Sequence, residues 1–276
     1  SLEDLKQFKA NGAPFFLAVG FVKPHLPFNA PKKYWDLYDS ELITLPEQAT
    51  FPGSAPKSAQ HEWRELRAYV DIPKTGPIPK DMAKKLIHGY YASVSYIDAQ
   101  IGVLINGLTA LGLRENTVIV LLGDHGWSLS EHGLWAKHSN FEVALQVPLI
   151  ISASKLPKGV HTNSIAELVD IYPTLCDLTL GESPNHLQGS SLVPALKSPD
   201  TLFKDRALAR WIKGETLIVN QLFYTEWQRN GKITSKMLYD HEVDPNETNN
   251  LAVDPAYKTT VKLLSQQLEQ FKKTFK

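Results

Sequence analysis

The sequence lacks several features that define particular classes of protein. Its 276 residues include one cysteine, Cys176, which excludes an internal disulfide framework and any zinc site made of several thiolates. Lysine plus arginine and aspartate plus glutamate both number 29, so no overall field attracts nucleic acid or an anionic membrane. No apolar run approaches the roughly 18 residues of a membrane-spanning helix, and no charged segment leads into an apolar one as in a signal peptide. We therefore expect no nucleic-acid partner, no membrane span and no signal peptide in this chain.

The composition is typical of a globular protein. Hydrophobic residues make up 43% of the chain and charged residues 21%, which is sufficient for a sizeable core. The length exceeds the roughly 100 to 200 residues of a typical domain. We expect either two domains or one large domain with an appendage. The two regions would be residues 1–200 and residues 201–276.

Residues 1–200 carry the pattern of an α/β domain. Short apolar segments at Phe15–Gly20, Thr117–Leu122 and Val147–Ile151 predict strands that are buried on both faces. Apolar residues recur every three or four positions over Asp81–Leu111, which predicts one long amphipathic helix, and Ser164–Leu180 predicts another. Helices that alternate with apolar strands indicate a largely parallel sheet.

Beyond about residue 205 the apolar period changes to two. Thr216–Asn220, Leu222–Trp227 and Ser235–Asp240 predict short strands, and Arg229–Lys232 contains the Asn-Gly pair of a β-hairpin turn. A final amphipathic helix is expected over Ala256–Phe271. The C-terminal region is thus predicted to be an α+β subdomain with an antiparallel sheet.

Polar side chains suited to catalysis follow the second predicted strand. Ligands of open α/β sheets bind beyond the carboxyl ends of strands, where Gly123–Trp127 lies. Asp124 offers an oxygen ligand for a metal, and His125 and Lys137 offer proton transfer or anion binding. The alternative is a capping aspartate, a hydrogen-bonded histidine and a solvated lysine. All three residue types in one segment favour a functional site.

A second histidine occupies the equivalent place after the first predicted strand. His25 follows Phe15–Gly20 as His125 follows Thr117–Leu122, so both could meet at one sheet edge. Lys23 would bring another cation there. The alternative is that His25, which lies between two prolines, is a structural loop residue.

The ordered motifs resemble those of the type I sulfatases, and most closely the iduronate-2-sulfatase-like branch. The resemblance runs along essentially the whole chain and rests on these segments: Val19–Phe28, Gly89–Gln100, Gly123–Trp127, Glu131–Phe141, Asp170–Thr174, Leu238–Asp240 and Asp244–Thr248. It implies an alkaline-phosphatase-like α/β sandwich with a smaller C-terminal antiparallel sheet. It also implies hydrolysis of sulfate esters, with a bound calcium and a formylglycine made from Cys or Ser in Cys/Ser-x-Pro-x-Arg.

The resemblance assigns roles to particular residues. Asp124 and His125 would bind the metal, although calcium prefers oxygen ligands and many sulfatases have Asn in place of His125. Lys137 would bind sulfate, and His25 would contact sulfate or protonate the leaving alcohol. The other implied substrate-binding residues are Lys23, Trp127 and His138, with core packing as the alternative for Trp127.

The formylglycine motif is absent from the sequence. Cys176 is followed by Asp-Leu-Thr and lies on the apolar face of a predicted helix, so we interpret it as a core residue, and Ser54–Ser58 lacks the arginine. An Asp-Asp pair, which the family uses for further metal ligands, is also absent. We therefore expect a truncated α/β domain whose partner is the missing N-terminal portion of the same protein, and no sulfatase activity from this chain alone.

Two other functions remain open. The chain could belong to a phosphate or phosphonate ester hydrolase of the same superfamily, which often uses two transition metals, or to a non-catalytic protein that binds sulfated glycans. The resemblance implies a sulfated sugar or glycan as the substrate and a periplasmic, secreted or lysosomal location. Near the C-terminus, Asp240, Asp244, Asn246 and Glu247 form either a second calcium loop or, as we expect, a turn and cap.

Overall fold

A computed structural model describes residues 1–273. The helices are α1 Leu2–Asn11, α2 Lys32–Trp35, α3 Arg64–Arg67, α4 Lys80–Ala110, α5 Glu142–Leu145, α6 Ile171–Thr179, α7 Val193–Lys197 and α8 Lys258–Lys273. The strands are β1 Ile119–Leu122, β2 Ser128–Leu129, β3 Trp135–Ala136, β4 Leu149–Ser152, β5 Arg206–Trp211, β6 Gly214–Val219, β7 Leu222–Arg229 and β8 Lys232–Asp240. The chain forms two compact units, residues 1–47 with 64–117 and residues 48–63 with 118–276. The predicted domain boundary near residue 200 stays a prediction.

The first unit is built on the long helix α4, which confirms the helix predicted over Asp81–Leu111. Asp81 lies in the first turn of α4, and Gly112 adopts a left-handed conformation (φ +67°) just beyond the helix. None of the helices described within residues 1–273 is both long and apolar enough to cross a membrane.

The segment Phe15–Gly20 differs from its predicted strand. A strand is defined by hydrogen bonds to a neighbour, and Phe15–Gly20 has no strand partner among residues 1–273. The side chain of Phe16 is 82% exposed, so the apolar run is not buried on both faces. The apolar pattern therefore does not form a strand here.

The strands β1 and β4 of the second unit correspond to the other two predicted strands. They pair with each other in antiparallel register, Ile119 opposite Ser152 and Leu122 opposite Leu149. Every strand pair within residues 1–273 is antiparallel, where the sequence predicts largely parallel neighbours. Apolar runs report burial and carry no information on strand direction.

The C-terminal sheet confirms the predicted antiparallel subdomain. Its strand order is β5-β6-β7-β8, and the β7–β8 turn places Asn230 and Gly231 at positive φ, as a tight hairpin requires. The sheet packs with α8 around a common core, whose fully or almost fully buried members are Leu217, Tyr224, Leu238, Leu264 and Leu268. Strand β5 lies outside the strands predicted from the sequence.

Helix α6 is shorter than the helix predicted over Ser164–Leu180. A 3-10 turn at Leu168–Asp170 precedes it, and residues 164–167 are not helical. Cys176 is a free thiol on this helix and is 5% exposed, which confirms that it is a core residue.

Candidate active site

The candidate site begins in the turn that follows β1. Two glycines hold this turn against the segment before β4: the Gly123 N–H donates to Pro148 O (3.1 Å) and the Gly126 N–H donates to Ala144 O (2.9 Å). A side chain at Gly126 would overlap the carbonyl oxygens of Val143 and Gln146, so this position needs glycine. These backbone contacts fix both ends of the turn, and Asp124 and His125 lie between the two fixed glycines.

Asp124 and His125 form a His–carboxylate pair on this turn. Asp124 Oδ1 accepts the His125 N–H (3.1 Å), and Asp124 Oδ2 lies 3.7 Å from His125 Nε2. The side chains are 87% and 33% exposed, respectively. The pair is therefore open to a ligand from outside the protein.

The hydrogen bond of His125 Nδ1 determines which ring nitrogen can bind a metal. His125 Nδ1 lies 2.9 Å from Gly126 O, and because a carbonyl can only accept, Nδ1 carries the proton. Nε2, on the side of Asp124 Oδ2, is then the ring nitrogen left to bind a metal. Metal-binding histidines commonly donate their second ring nitrogen to a backbone carbonyl in this way.

This pair fits part of a metal site. Within residues 1–273 no group of three or more His, Cys, Asp or Glu side chains is arranged to hold a metal ion. Calcium takes about six to eight ligands, mostly oxygen atoms. Asp124 and His125 could supply two of them.

A short hairpin brings Lys137 beside this turn. Strands β2 and β3 pair Ser128 with Ala136, so Trp127 and Lys137, the residues next to this pair, lie opposite each other across the hairpin. Lys137 Nζ lies 5.2 Å from the Trp127 ring centroid, within the range of a cation–π contact, and the rings of Trp127 and His125 are 6.0 Å apart. Trp127 is 9% exposed. It thus packs in the core and also connects the ammonium group to the His–carboxylate pair.

His138 lies in an aromatic cluster that the sequence reading did not find. Its ring stacks on Trp211 (centroids 4.5 Å apart) and is 5.8 Å from the His61 ring. Burial, followed by the proximity of His138, lowers the pKa of His61 to about 4. His61 and Trp211 come from segments distant in sequence, so only strand pairing and loop packing could have identified them.

His25 and Lys23 belong to the first unit. His25 Nε2 lies 2.8 Å from Glu65 Oε1 and Nδ1 lies 3.0 Å from Leu26 O, so both ring nitrogens face acceptors. Lys23 Nζ donates to the carbonyls of His25 and Pro27, and burial lowers its pKa. Glu65 was not predicted. The convergence of His25 with His125 stays a prediction.

The acidic segment near the C-terminus is a turn and cap. Asp244 accepts hydrogen bonds from the Thr248 N–H, the Thr248 hydroxyl and the Asn249 N–H, at 2.8–3.1 Å. Its carboxylate therefore stabilises the local backbone, in agreement with the expected turn.

Two family models match the chain. The model described as Sulfatase matches residues 1–182, and that described as N-sulphoglucosamine sulphohydrolase, C-terminal, matches residues 130–274. Together they extend over nearly all of the sequence, and the first alone covers more than half.

Curated relatives agree with these matches. Human iduronate 2-sulfatase is 39% identical over 209 residues, which are 64% of this chain and 38% of the relative. A sulfatase from Formosa agariphila is 32% identical over 264 residues, which are 94% of this chain and 50% of the relative. The chain thus spans about half the length, or less, of the curated relatives it matches.

Solved structures show the fold. A protein in complex with its substrate D-glucosamine-2-N,6-O-disulfate aligns with a TM-score of 0.82 at 22% identity, covering 99% of this chain and 69% of that chain. A phosphonate monoester hydrolase from Silicibacter pomeroyi aligns with a TM-score of 0.83 at 24% identity, covering 98% and 59%. These neighbours confirm the predicted alkaline-phosphatase-like fold class. The match of the sulfatase family model over residues 1–182 shows that the chain belongs to the sulfatase family.

Proposed function

We propose that the complete protein hydrolyses sulfate esters of a sulfated sugar or glycan, and that this chain supplies one part of the active site. The observation that carries the proposal is the arrangement of Asp124, His125 and Lys137 around Trp127 after β1. A metal-binding pair and an ammonium group close together suit an anion whose charge must be stabilised during hydrolysis.

Each residue has a proposed role. Asp124 and His125 Nε2 bind calcium, which when bound would stabilise negative charge on the sulfuryl oxygens. Lys137 binds the sulfate, and Trp127 holds the Lys137 ammonium group in place. His25, oriented by Glu65, protonates the leaving alcohol, and a general acid contributes about 10² to 10⁴ in rate. Lys23 and His138 bind the substrate.

The 276 residues contain no Cys/Ser-x-Pro-x-Arg and no Asp-Asp pair. We propose that the nucleophile and the other calcium ligands come from the remainder of the protein, and that the chain alone does not hydrolyse sulfate esters. As in the resemblance to the iduronate-2-sulfatase-like branch, the location would be periplasmic, secreted or lysosomal. Relatives named iduronate 2-sulfatase support a sugar substrate, and the neighbour solved with a glucosamine disulfate is compatible with it.

The test compares two proteins: this chain, and the same chain extended by its naturally encoded upstream sequence. With 4-nitrophenyl sulfate and calcium, we expect turnover by the extended protein and none by the 276 residues. Lys137→Met in the extended protein should reduce turnover by at least about tenfold. Turnover by the 276 residues alone would contradict the division of the active site.

A second candidate is phosphonate or phosphate ester hydrolysis, favoured by the structural match to a phosphonate monoester hydrolase. Metal analysis and parallel assays with 4-nitrophenyl sulfate and a phosphonate monoester separate the two. Calcium with sulfate turnover supports the sulfatase, whereas paired zinc or manganese with phosphonate turnover supports the second candidate. Binding of a sulfated sugar without turnover by the extended protein would support the non-catalytic glycan binder.

A further inference from the structure

A buried group of four titratable side chains lies outside the candidate site. We call His132, Glu142, His241 and Glu247 the Glu247 cluster. The side chains of His132, His241 and Glu247 are 5%, 5% and 3% exposed. Charged or polar groups so deeply buried destabilise a fold unless their hydrogen bonds are made, so their partners need to be identified.

Glu247 is the centre of this cluster. Its Oε1 and Oε2 lie 3.3 and 3.2 Å from the backbone nitrogen of Glu142. Oε1 is also 3.3 Å from His241 Nε2, and Oε2 is 3.7 Å from His132 Nε2. All of these neighbours are nitrogen atoms that can carry a proton. Burial raises the pKa of Glu247, and its contacts with His241 and the Glu142 N–H oppose this by favouring the ionised carboxylate.

The two histidines of the cluster differ in charge. Burial alone lowers the pKa of His241, but hydrogen bonds to Glu142 and Glu247 outweigh this and raise it to about 9. Burial lowers the pKa of His132, which remains neutral with Nε2–H directed at Asn246 O (3.1 Å). The cluster thus contains one cation, and Glu142 Oε2 is 3.4 Å from His241 Nδ1.

The cluster connects the two ends of one loop. We define the Lys137 loop as residues 133–141, which carry Lys137 and His138 and follow His132 directly. Glu142 comes immediately after the loop. Glu247 therefore contacts the residue before the loop through a side chain and the residue after it through the backbone.

A buried polar side chain within the loop also holds it to the C-terminal sheet. Asn140 is 2% exposed, and its Nδ2 donates to Gly214 O (3.2 Å) and Thr216 Oγ1 (3.0 Å) on β6. The rings of His132 and Phe141, at opposite ends of the loop, stack at 3.9 Å. The loop is thus held closed at its base by groups from the C-terminal part of the chain.

We propose that Glu247 is a positioning residue: by holding both ends of the Lys137 loop, it keeps the Lys137 ammonium group over the Trp127 ring, beside His125. The effect on sulfate binding rests on the proposed function, whereas the effect on the position of Lys137 does not. A misplacement of about 1 Å at a group that binds the reacting anion can reduce activity up to about a hundredfold.

NMR spectroscopy of Lys137 tests the positional part. Protons of its ε-methylene group lie near the face of Trp127, so the ring current shifts them upfield of the position in a flexible lysine, and Trp127→Leu assigns this shift. We expect Glu247→Ala to remove the shift. Glu247→Gln should keep part of it, because the amide oxygen still accepts the Glu142 N–H.

Asn250→Ala is the matched control. Asn250 is 1% exposed and hydrogen-bonds to Leu238 N (2.9 Å), Ser54 O and Lys236 O, so its loss destabilises the same unit without touching the Lys137 loop. We expect this variant to lose stability while retaining the Lys137 shift. If Asn250→Ala moves the shift as far as the Glu247 variants, the effect is general loosening and the proposal fails.

A titration of the same variants, made in the extended protein, with 4-nitrophenyl sulfate tests the consequence. We expect Glu247→Ala to weaken binding by at least about tenfold and Asn250→Ala to leave it unchanged. A Lys137 shift that stays at its wild-type position in folded Glu247→Ala and Glu247→Gln would overturn the proposal. If the shift moves as expected but the wild-type extended protein does not bind the ester, the positioning role stands and the proposed function fails.

Discussion

The chain contains two His–carboxylate pairs with the same separation and opposite surroundings. His125 Nε2 lies 3.7 Å from Asp124 Oδ2, and His132 Nε2 lies 3.7 Å from Glu247 Oε2. The Asp124 side chain is 87% exposed and that of Glu247 is 3% exposed. Both pairs lie within the second unit, only a few residues apart at their histidines.

The two carboxylates differ in how many hydrogen-bond donors of the protein surround their oxygen atoms. The Glu247 oxygens face the Glu142 N–H and two imidazoles, whereas the one hydrogen bond described for Asp124 is to the adjacent His125 N–H. A carboxylate saturated by protein donors stabilises structure, and one that faces solvent can bind an external cation. Distance within the pair does not reveal its role, but burial and the number of donors do.

The largest effect should come from the buried carboxylate. Glu247→Ala removes one of the two carboxylates beside the His241 cation and leaves the Glu142 N–H without its acceptor. Breaking a buried ion pair costs about 3–5 kcal/mol. Glu242→Ala is the control, because it removes an exposed glutamate from the same turn and should change the free energy of unfolding by no more than about 0.5 kcal/mol. Urea denaturation followed by tryptophan fluorescence measures both. If both variants lost the same free energy of unfolding, burial of Glu247 would not distinguish its role from that of an exposed glutamate.

The backbone beneath the exposed pair should show the next largest effect. Gly126→Ala places a methyl group against the carbonyl oxygens of Val143 and Gln146, and such overpacking costs about 1–3 kcal/mol or more. Gly123→Ala in the same turn meets its nearest neighbour, Pro148 Cδ, at 3.3 Å, and needs a smaller adjustment. We expect Gly126→Ala to destabilise the protein more than Gly123→Ala in thermal unfolding. The reverse order would mean that the turn is not held by its packing on the segment before β4.

The buried cluster should also make stability depend on pH. The pKa of His241 rises from the usual 6.5 to about 9 in the folded protein. Its contribution is complete below pH 6.5 and is lost as the pH rises from 6.5 through 9, a loss of about 3 kcal/mol. His241→Asn should flatten this part of the curve of unfolding free energy against pH. A curve with the same slope in both proteins would show that the His241 cation does not stabilise the fold.

The exposed pair could be predicted from the sequence because its two residues are adjacent and follow a recognisable local pattern. Asp124 and His125 follow an apolar run in a glycine-flanked turn, and that local pattern also predicts their proximity. The Glu247 cluster combines residues more than a hundred positions apart, through contacts that no local pattern encodes. The same limit explains why the strands at Thr117–Leu122 and Val147–Ile151 were predicted while their antiparallel pairing, and the contacts of His138 with His61 and Trp211, were not.

The smallest effect on stability should come from the exposed carboxylate, although its effect on the metal should be large. Asp124→Asn keeps the shape of the side chain and changes the free energy of unfolding by no more than about 0.5 kcal/mol, because the group is exposed. The loss of its charge should weaken calcium binding by about tenfold or more, measured by calorimetry on the extended protein. Asp205→Asn is a suitable control, since it removes an exposed carboxylate that pairs with Arg206. Unchanged calcium affinity together with full stability would leave the Asp124–His125 pair as a surface turn. A large loss of stability would instead place Asp124 in the same class as Glu247.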